Sequence, residues 1–341
     1  MLYFDSDYMA GAHPEVMRRL METNLEHTVG YGLDEYSEEA RRRIRAECAV
    51  PDALVQFFVG GTQTNATAIS ALLRPYEGVM AASTAHINVH ESGAVERGGH
   101  KVLVLPSYNG KVSARDVAGY IRDFYRDDTY EHMVAPGMLY ITQPTELGTL
   151  YTLEELEELS RICRETHIHL YLDGARLGYA LASTAADFTL RDIARLCDVF
   201  YIGGTKCGAL FGEALVAANP KILPHFFPIV KQHGALLAKG RLQGIQFATL
   251  FTDDLYVRIA RHANELAMKL RAAFEQKGWP VVIDSPTNQQ FVKLPNEVMD
   301  QLRLSASFEI WGTRGETETT VRFVTSWATT EEDIEQLISL I

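Results

Sequence analysis

Short apolar runs separated by stretches of helical spacing set the pattern of the first two-thirds of this chain. Residues 54–59, 79–82, 102–105, 138–141, 169–172 and 199–202 are apolar-rich and have the lengths of buried strands. Between them, residues 13–24 read as a helix opened by Pro14 and 37–48 as a charged amphipathic helix. Residues 63–73 form a helix that stops before Pro75, and 153–166 a Glu-rich one. Strands alternating with helices predict an α/β unit whose mostly parallel sheet lies between helices. In such sheets ligands sit beyond the carboxyl ends of the strands. Gly60-Gly61-Thr62, Asp173 and Gly203-Gly204-Thr205-Lys206 each fall just past one.

After about residue 235 the pattern changes. Helical spacing runs from 236 to 274 with an interruption near 252–254. Strand-like stretches follow at 281–283, 290–292, 307–311 and 321–324, and a helix begins at 331. The expected organisation is an N-terminal arm and large α/β domain over 1–235, then a smaller α+β C-terminal domain over 236–341. A length of 341 residues fits two packed units better than one core.

Composition narrows the function classes. With 47% hydrophobic and 22% charged residues the chain is that of an ordinary globular enzyme. A net charge of -12 argues against nucleic acid, whose phosphates need a basic face. No apolar run has the length to cross a bilayer, and residues 1–7 lack the basic-then-apolar order of a signal peptide, so a cytoplasmic protein is expected. Cys48, Cys163, Cys197 and Cys207 are scattered without a CxxC pair, which predicts reduced thiols and no structural metal.

Three stretches carry chemistry. Lys206 follows a strand among small residues, which leave room for a planar group, as a Schiff-base lysine requires. Taken alone, that stretch reads better as a solvated loop lysine. Asp173 ends an apolar strand and needs a cationic or hydrogen-bonding partner. A protonated pyridine nitrogen meets that need, and so does the ordinary role of helix cap. Arg176 can turn into the same cleft and grip a carboxylate through its fork, or pair with a surface acid. Gly60-Gly61-Thr62 opens a helix, where free N–H groups form an anion cradle, although it matches neither the Walker pattern nor GxGxxG. The order of cradle, strand-end aspartate and Gly-flanked lysine weighs more than any one of them. It is the order of aspartate-aminotransferase-like pyridoxal-phosphate (PLP) folds.

On Ser6-Asp7, the string from Gly30 to Tyr36, Gly61-Thr62 with Asn65, His86 with Glu91, Asp173-Gly174-Ala175-Arg176, Thr205-Lys206 and Arg322 to Thr325, the chain resembles the low-specificity threonine aldolases of the β-eliminating lyase superfamily, nearly end to end. The resemblance implies a PLP-dependent, fold type I enzyme that cleaves the Cα–Cβ bond of β-hydroxy-α-amino acids to glycine and an aldehyde. It implies a Schiff base on Lys206, Asp173 on the pyridine nitrogen and His86 over the ring. Gly61, Thr62, Asn65 and Thr205 would bind the cofactor, with Arg241 reaching a neighbouring subunit's phosphate. Ser6, Arg176 and Arg322 would hold the substrate carboxylate, and Tyr31 is an interface contact or a buried structural tyrosine. Homodimers or homotetramers with sites at the subunit interface are implied. The chain departs from the family where a Glu-Asn-Thr-His segment is common. Residues 142–148 contain no histidine, so the base for the β-hydroxyl falls to His86, Glu91 or Glu146, with His86 first. Cys207 stands where glycine is usual. β-Elimination or transamination on the same scaffold, a silent PLP-binding relative and, remotely, a nicotinamide enzyme are the alternatives.

Overall fold

A computed structural model describes residues 1–341. Its strands are β1 (Leu2–Tyr3), β2 (Leu54–Phe58), β3 (Glu77–Ala82), β4 (Val102–Leu105), β5 (Ala135–Thr142), β6 (His169–Asp173), β7 (Val199–Gly203), β8 (Glu213–Ala217), β9 (Gln289–Pro295), β10 (Ala306–Ser307), β11 (Glu309–Ile310) and β12 (Glu318–Val324). Seven of them form one sheet in the order β2-β8-β7-β6-β5-β3-β4. Only β8 runs against its neighbours β2 and β7; the other pairs are parallel. Residues of β3, β5, β7 and β8 are buried almost without interruption. Successive side chains point to opposite faces, so the sheet is covered on both sides. Crossovers place the ends of β2, β3, β5, β6 and β7 along one edge of this sheet. The start of the reversed strand β8 joins them, with Glu213 opposite both Phe58 and Gly203.

Capping chemistry sets the helix boundaries. The charged helix predicted from 37 begins earlier, at Glu35, because the Asp34 carboxylate accepts from the Ser37 N–H at 2.8 Å. The helix Gly61–Leu72 likewise starts ahead of 63, and its cap residue Gly60 offers no side chain. The long helical stretch resolves into Arg241–Leu250 and Leu255–Gln276, parted where Asp253 and Asp254 take positive φ values of 50° and 54°. Residues 236–240 are not helical. The strand expected over 281–283 is a single bridge from Val281 to Val292, and 307–311 divides into β10 and β11.

The C-terminal unit is the antiparallel sheet β11-β12-β9 with helices against it. The N-terminal arm belongs to this unit. β1 pairs in parallel with β10, and Leu2 and Phe4 enter a second apolar core with Leu266, Phe274, Phe308 and Phe323. The two cores change over inside the helix Leu255–Gln276, since Ala263 packs with the large core and Leu266 with the small one. The change of character expected at 235 therefore falls later, and the first residues side with the last.

Two loops at the strand edge are laced together without room for side chains. The Gly203 N–H donates to the Gly174 carbonyl at 2.9 Å. A β-carbon on Gly203 would lie 2.2 Å from the Ala175 oxygen. Asp173 and Lys206 are thus held by backbone against backbone. Gly203→Ala should cost about 3 kcal/mol of stability by overpacking, whereas Gly11→Ala, with nothing within 4 Å of its β-carbon, should stay within about 0.5 kcal/mol. Denaturant midpoints of the two variants check this.

Candidate active site

Along that edge lies a cleft of about 540 Å³ whose lining includes Tyr8, Gly60, Gly61, Thr62, His86, His90, Glu146, Asp173, Arg176, Tyr201, Thr205, Lys206, Glu213, Glu309, Trp311 and Arg322. Most of the residues expected to act together are in it. Asn65, Ser6, Tyr31 and Arg241 are not among its lining residues.

Asp173 is buried at the end of β6, so both oxygens need donors. Oδ2 accepts from the Tyr140 hydroxyl at 2.5 Å and the Asn65 amide at 3.0 Å, and Oδ1 accepts from the Ala175 N–H at 3.0 Å. Every partner donates, as an acceptor-only carboxylate requires. Asn65 therefore has a different place from the one expected of it. It is fully buried behind the cleft, with its amide spent on Asp173 and on Glu91 at 2.8 Å, and its carbonyl on the Tyr171 hydroxyl. It orients two carboxylates and does not line the cleft.

Lys206 follows β7 in the loop packed on Asp173. Burial and the Arg176 charge lower its ammonium pKa against the opposing pull of Asp7, Asp173 and Glu213, which favours the nucleophilic amine. Its Nζ lies 5.9 Å from the centre of the Tyr8 ring. Glu213, brought here by the reversed strand, accepts from the Thr205 hydroxyl at 2.9 Å and the Gly204 N–H at 3.2 Å. Burial pushes its pKa up to about 8, against those donors and the Lys206 charge. Cys207 is buried with its thiol pushed up to about 12 by burial, packed between Tyr256 and Gly178; it is a small apolar filler and not a nucleophile.

The uncapped first turn of Gly61–Leu72 presents its N–H groups at one end of the cleft beside Thr62 and Thr205. His86 forms a wall. Its Nδ1 meets Glu91 at 2.7 Å, and its backbone N–H donates to Glu146 at 2.9 Å. Burial works against charge on the ring, but the Glu91 hydrogen bond and the Asp173 and Glu91 charges outweigh it and raise its pKa. Glu91 is itself buried behind His86 and does not line the cleft, which removes it as a base acting on a ligand. Glu146 has both oxygens engaged, by the His86 N–H and the Thr142 hydroxyl, and burial pushes it up to about 7.

Two neighbouring arginines also line the cleft. Arg176 donates through Nε at 2.7 Å and Nη2 at 3.0 Å to Asp7, a buried carboxylate that also accepts from Asn288. One edge of its fork is taken and the Nη1 side is left for a ligand. The Arg322 guanidinium is paired with Glu309 and donates to Gln289 at 2.9 Å, with Trp311 5.1 Å from it. Burial and the neighbouring Arg176 both weigh against its charge. Two guanidinium groups repelling each other in one cleft make a place for an anion. Ser6 is half-buried next to Asp7. Tyr31 is 44% exposed, and Arg241 donates to the Glu26 and Asn24 carbonyls on the surface. Glu213, His90, Glu309 and Trp311 were not expected in the cleft, nor was the pairing of Asp7 with Arg176.

The donor set fits pyridoxal phosphate. It combines a buried amine, a carboxylate for a ring nitrogen, an uncapped helix start for a phosphate and an arginine pair for a carboxylate. Comparisons agree with that fit. The family model described as beta-eliminating lyase matches residues 4–297. The low specificity L-threonine aldolase of Pseudomonas aeruginosa is 31% identical over 340 residues, covering 98% of this chain and 95% of that protein. The Saccharomyces cerevisiae low specificity L-threonine aldolase is 28% identical over 288 residues, covering 82% and 72%. A solved structure of Leishmania major threonine aldolase superposes with a TM-score of 0.97 at 40% identity, covering 100% of this chain and 98% of that one. A Thermus thermophilus aspartate aminotransferase, at TM-score 0.73, 16% identity and coverage of 100% and 90%, shares the fold.

The Asp7–Arg176 pair ties the N-terminal arm to the large unit. Burial would raise the Asp7 pKa, but the Arg176 and Lys206 charges and the hydrogen bonds from Arg176 and Asn288 bring it below the ordinary carboxylate value. Its stabilising contribution is therefore whole above about pH 4 and is lost as pH falls through the unfolded value toward the folded one. Asp7→Asn should cost about 3 kcal/mol or more near neutrality by leaving Arg176 buried and unpaired, and should flatten stability across the acid range. Denaturation at stepped pH values reads both effects.

Proposed function

The chain belongs to the beta-eliminating lyase family, and we propose that it is a pyridoxal-phosphate-dependent aldehyde-lyase that cleaves β-hydroxy-α-amino acids to glycine and an aldehyde. The observation that carries this reading is one cleft holding a depressed-pKa lysine, a fully donated aspartate and two carboxylate-seeking arginines.

Lys206 supplies the amine that holds the cofactor covalently, and Asp173 receives its ring nitrogen. Gly61, Thr62 and Thr205 hold the phosphate. Bound there, pyridoxal phosphate supplies the electron sink for the pair released at Cα. The protein decides which bond yields. Arg176 and Arg322 fix the substrate carboxylate, with Ser6 beside them, and so turn the Cα–Cβ bond toward the orientation in which its electrons can be delocalised. His86, tied to Glu91 through Nδ1 and biased toward its charged form, presents a flat face to the cleft. Tyr140 and Asn65 keep the Asp173 oxygens aimed.

The assembly is read as a homodimer or a dimer of dimers. Tyr31 hangs its N–H on the Ala238 carbonyl, so residues 30–33 lie against 238–240 next to Arg241. Leu25, Val29 and Leu33, each at least 64% exposed, surround this shelf. A second copy would cover that apolar surface and receive Tyr31 and Arg241 in its own cleft. A cytoplasmic location is supported by four cysteines that are all free and buried.

The test is product identity. The loaded enzyme should release glycine and an aldehyde from L-threonine, L-allo-threonine or phenylserine. Pyruvate and ammonia from a β-substituted amino acid, with no glycine, would replace this reading by β-elimination. Lys206→Ala should abolish the yellow, borohydride-reducible chromophore, and Arg322→Ala should lose turnover far more than bound cofactor.

A further inference from the structure

His90 is the cleft's second histidine. It caps the short helix His86–Val89, donating its N–H to the His86 carbonyl at 2.9 Å, and its ring centroid lies 5.6 Å from that of His86. Unlike the His86 ring, which is fixed by Glu91, the His90 ring has no hydrogen-bond partner within the chain and is exposed to the cleft.

We propose that His90 is the base that takes the β-hydroxyl proton of the substrate, a role that rests on the aldehyde-lyase reading of this cleft. The other acid–base groups are each more constrained than His90. Glu91 is walled off behind His86, Glu146 accepts from the His86 N–H and the Thr142 hydroxyl, which weaken it as a base, and the His86 ring is anchored through Nδ1 to Glu91. Residues 142–148 bring no histidine.

The surroundings divide the two histidines. His90 is faced by His86 on its own helix, by Arg322 and Glu309 from the small sheet and by Lys206 from the loop after β7. Burial and the charges of His86, Arg322 and Lys206 lower its pKa, against Glu309, which raises it. The two imidazoles are therefore biased in opposite directions, His90 toward the neutral form and His86 toward the charged one. Neighbouring titratable groups pushed apart in this way mark separate acid and base roles. Position agrees with this division. Lys206 and Arg322 mark where the substrate's amino and carboxylate groups are held, and both lie near enough to act electrostatically on His90. The hydroxyl-bearing substituent on Cα shares the cleft with this partnerless imidazole.

In the step, the hydroxyl proton passes to a His90 nitrogen and the O–H pair becomes the second C–O bond of the aldehyde. The Cα–Cβ pair stays with Cα, which gains a proton from solvent to give glycine. His90 returns its proton to water.

Exchange of the glycine α-proton in heavy water needs Lys206 and the electron sink but has no hydroxyl to deprotonate, so it separates the two demands. In the loaded enzyme, His90→Asn should lower L-threonine cleavage about 100-fold and erase the acid limb of its pH profile, while glycine exchange is retained. Equal losses in both reactions, or undiminished cleavage, would overturn the assignment. In cofactor-free protein, NMR titration should place His90 below and His86 above the usual histidine value, and the reverse order would also overturn it. A wild-type enzyme that exchanges glycine yet releases no aldehyde from L-threonine or phenylserine would refute the proposed function itself, and this role with it.

Discussion

A carboxylate buried at the end of a strand is costly unless donors surround it, and the architecture of this cleft follows from providing them to Asp173. The Tyr140 hydroxyl comes from the adjacent strand, in register with Tyr171. The Asn65 amide comes from the helix that also forms the anion cradle, and the Ala175 N–H from the turn laced to the lysine loop. Each donor is carried by an element that presents another part of the site. Satisfying one buried charge thus fixes cradle, lysine and arginine in relation to one another.

The remaining electrostatics share that logic. Burial penalises every charge in the cleft, and the partners decide which groups keep theirs. Asp7 and Arg176 remain an ion pair because each has the other. Glu213 has hydroxyl and amide donors but no cation in contact, and burial pushes it up to about 8. Lys206 is pushed toward the free amine by burial and by Arg176. The same competition separates His86, which has Glu91, from His90, which has no carboxylate within hydrogen-bonding reach. The cleft holds an amine pushed toward its reactive form and two arginines, of which Arg176 keeps its Nη1 side free of protein partners.

The places of the parallel strands, the loops after them and the order of chemistry-bearing residues were readable in the chain, because they depend on local period and on Gly, Pro and Asp placement; several strand lengths were read too short and β8 was missed. β4 has the limits its apolar run implied, and Lys206, Asp173 and Arg176 converge as their positions past strand ends suggested. What escaped depends on partners distant in sequence. Asp7 meets Arg176 only after the arm folds across the molecule. Glu213 enters because β8 reverses, and its apolar run after a charged residue was the overlooked signal. Asn65 sits in the expected helix, yet which way its amide points is decided by Asp173 and Tyr171. His90 differs from His86 through the local Glu91 contact, which only His86 makes, and through Arg322, Glu309 and Lys206 from distant elements.

The central claim is that Asp173, with all its protein partners donating, remains an acceptor for the cofactor's ring nitrogen. Loading the enzyme with pyridoxal phosphate labelled with nitrogen-15 in the ring and recording its chemical shift near neutral pH measures this directly. The account predicts the shift of a protonated pyridinium, lost in Asp173→Asn. A neutral-pyridine shift in the wild-type enzyme would contradict it.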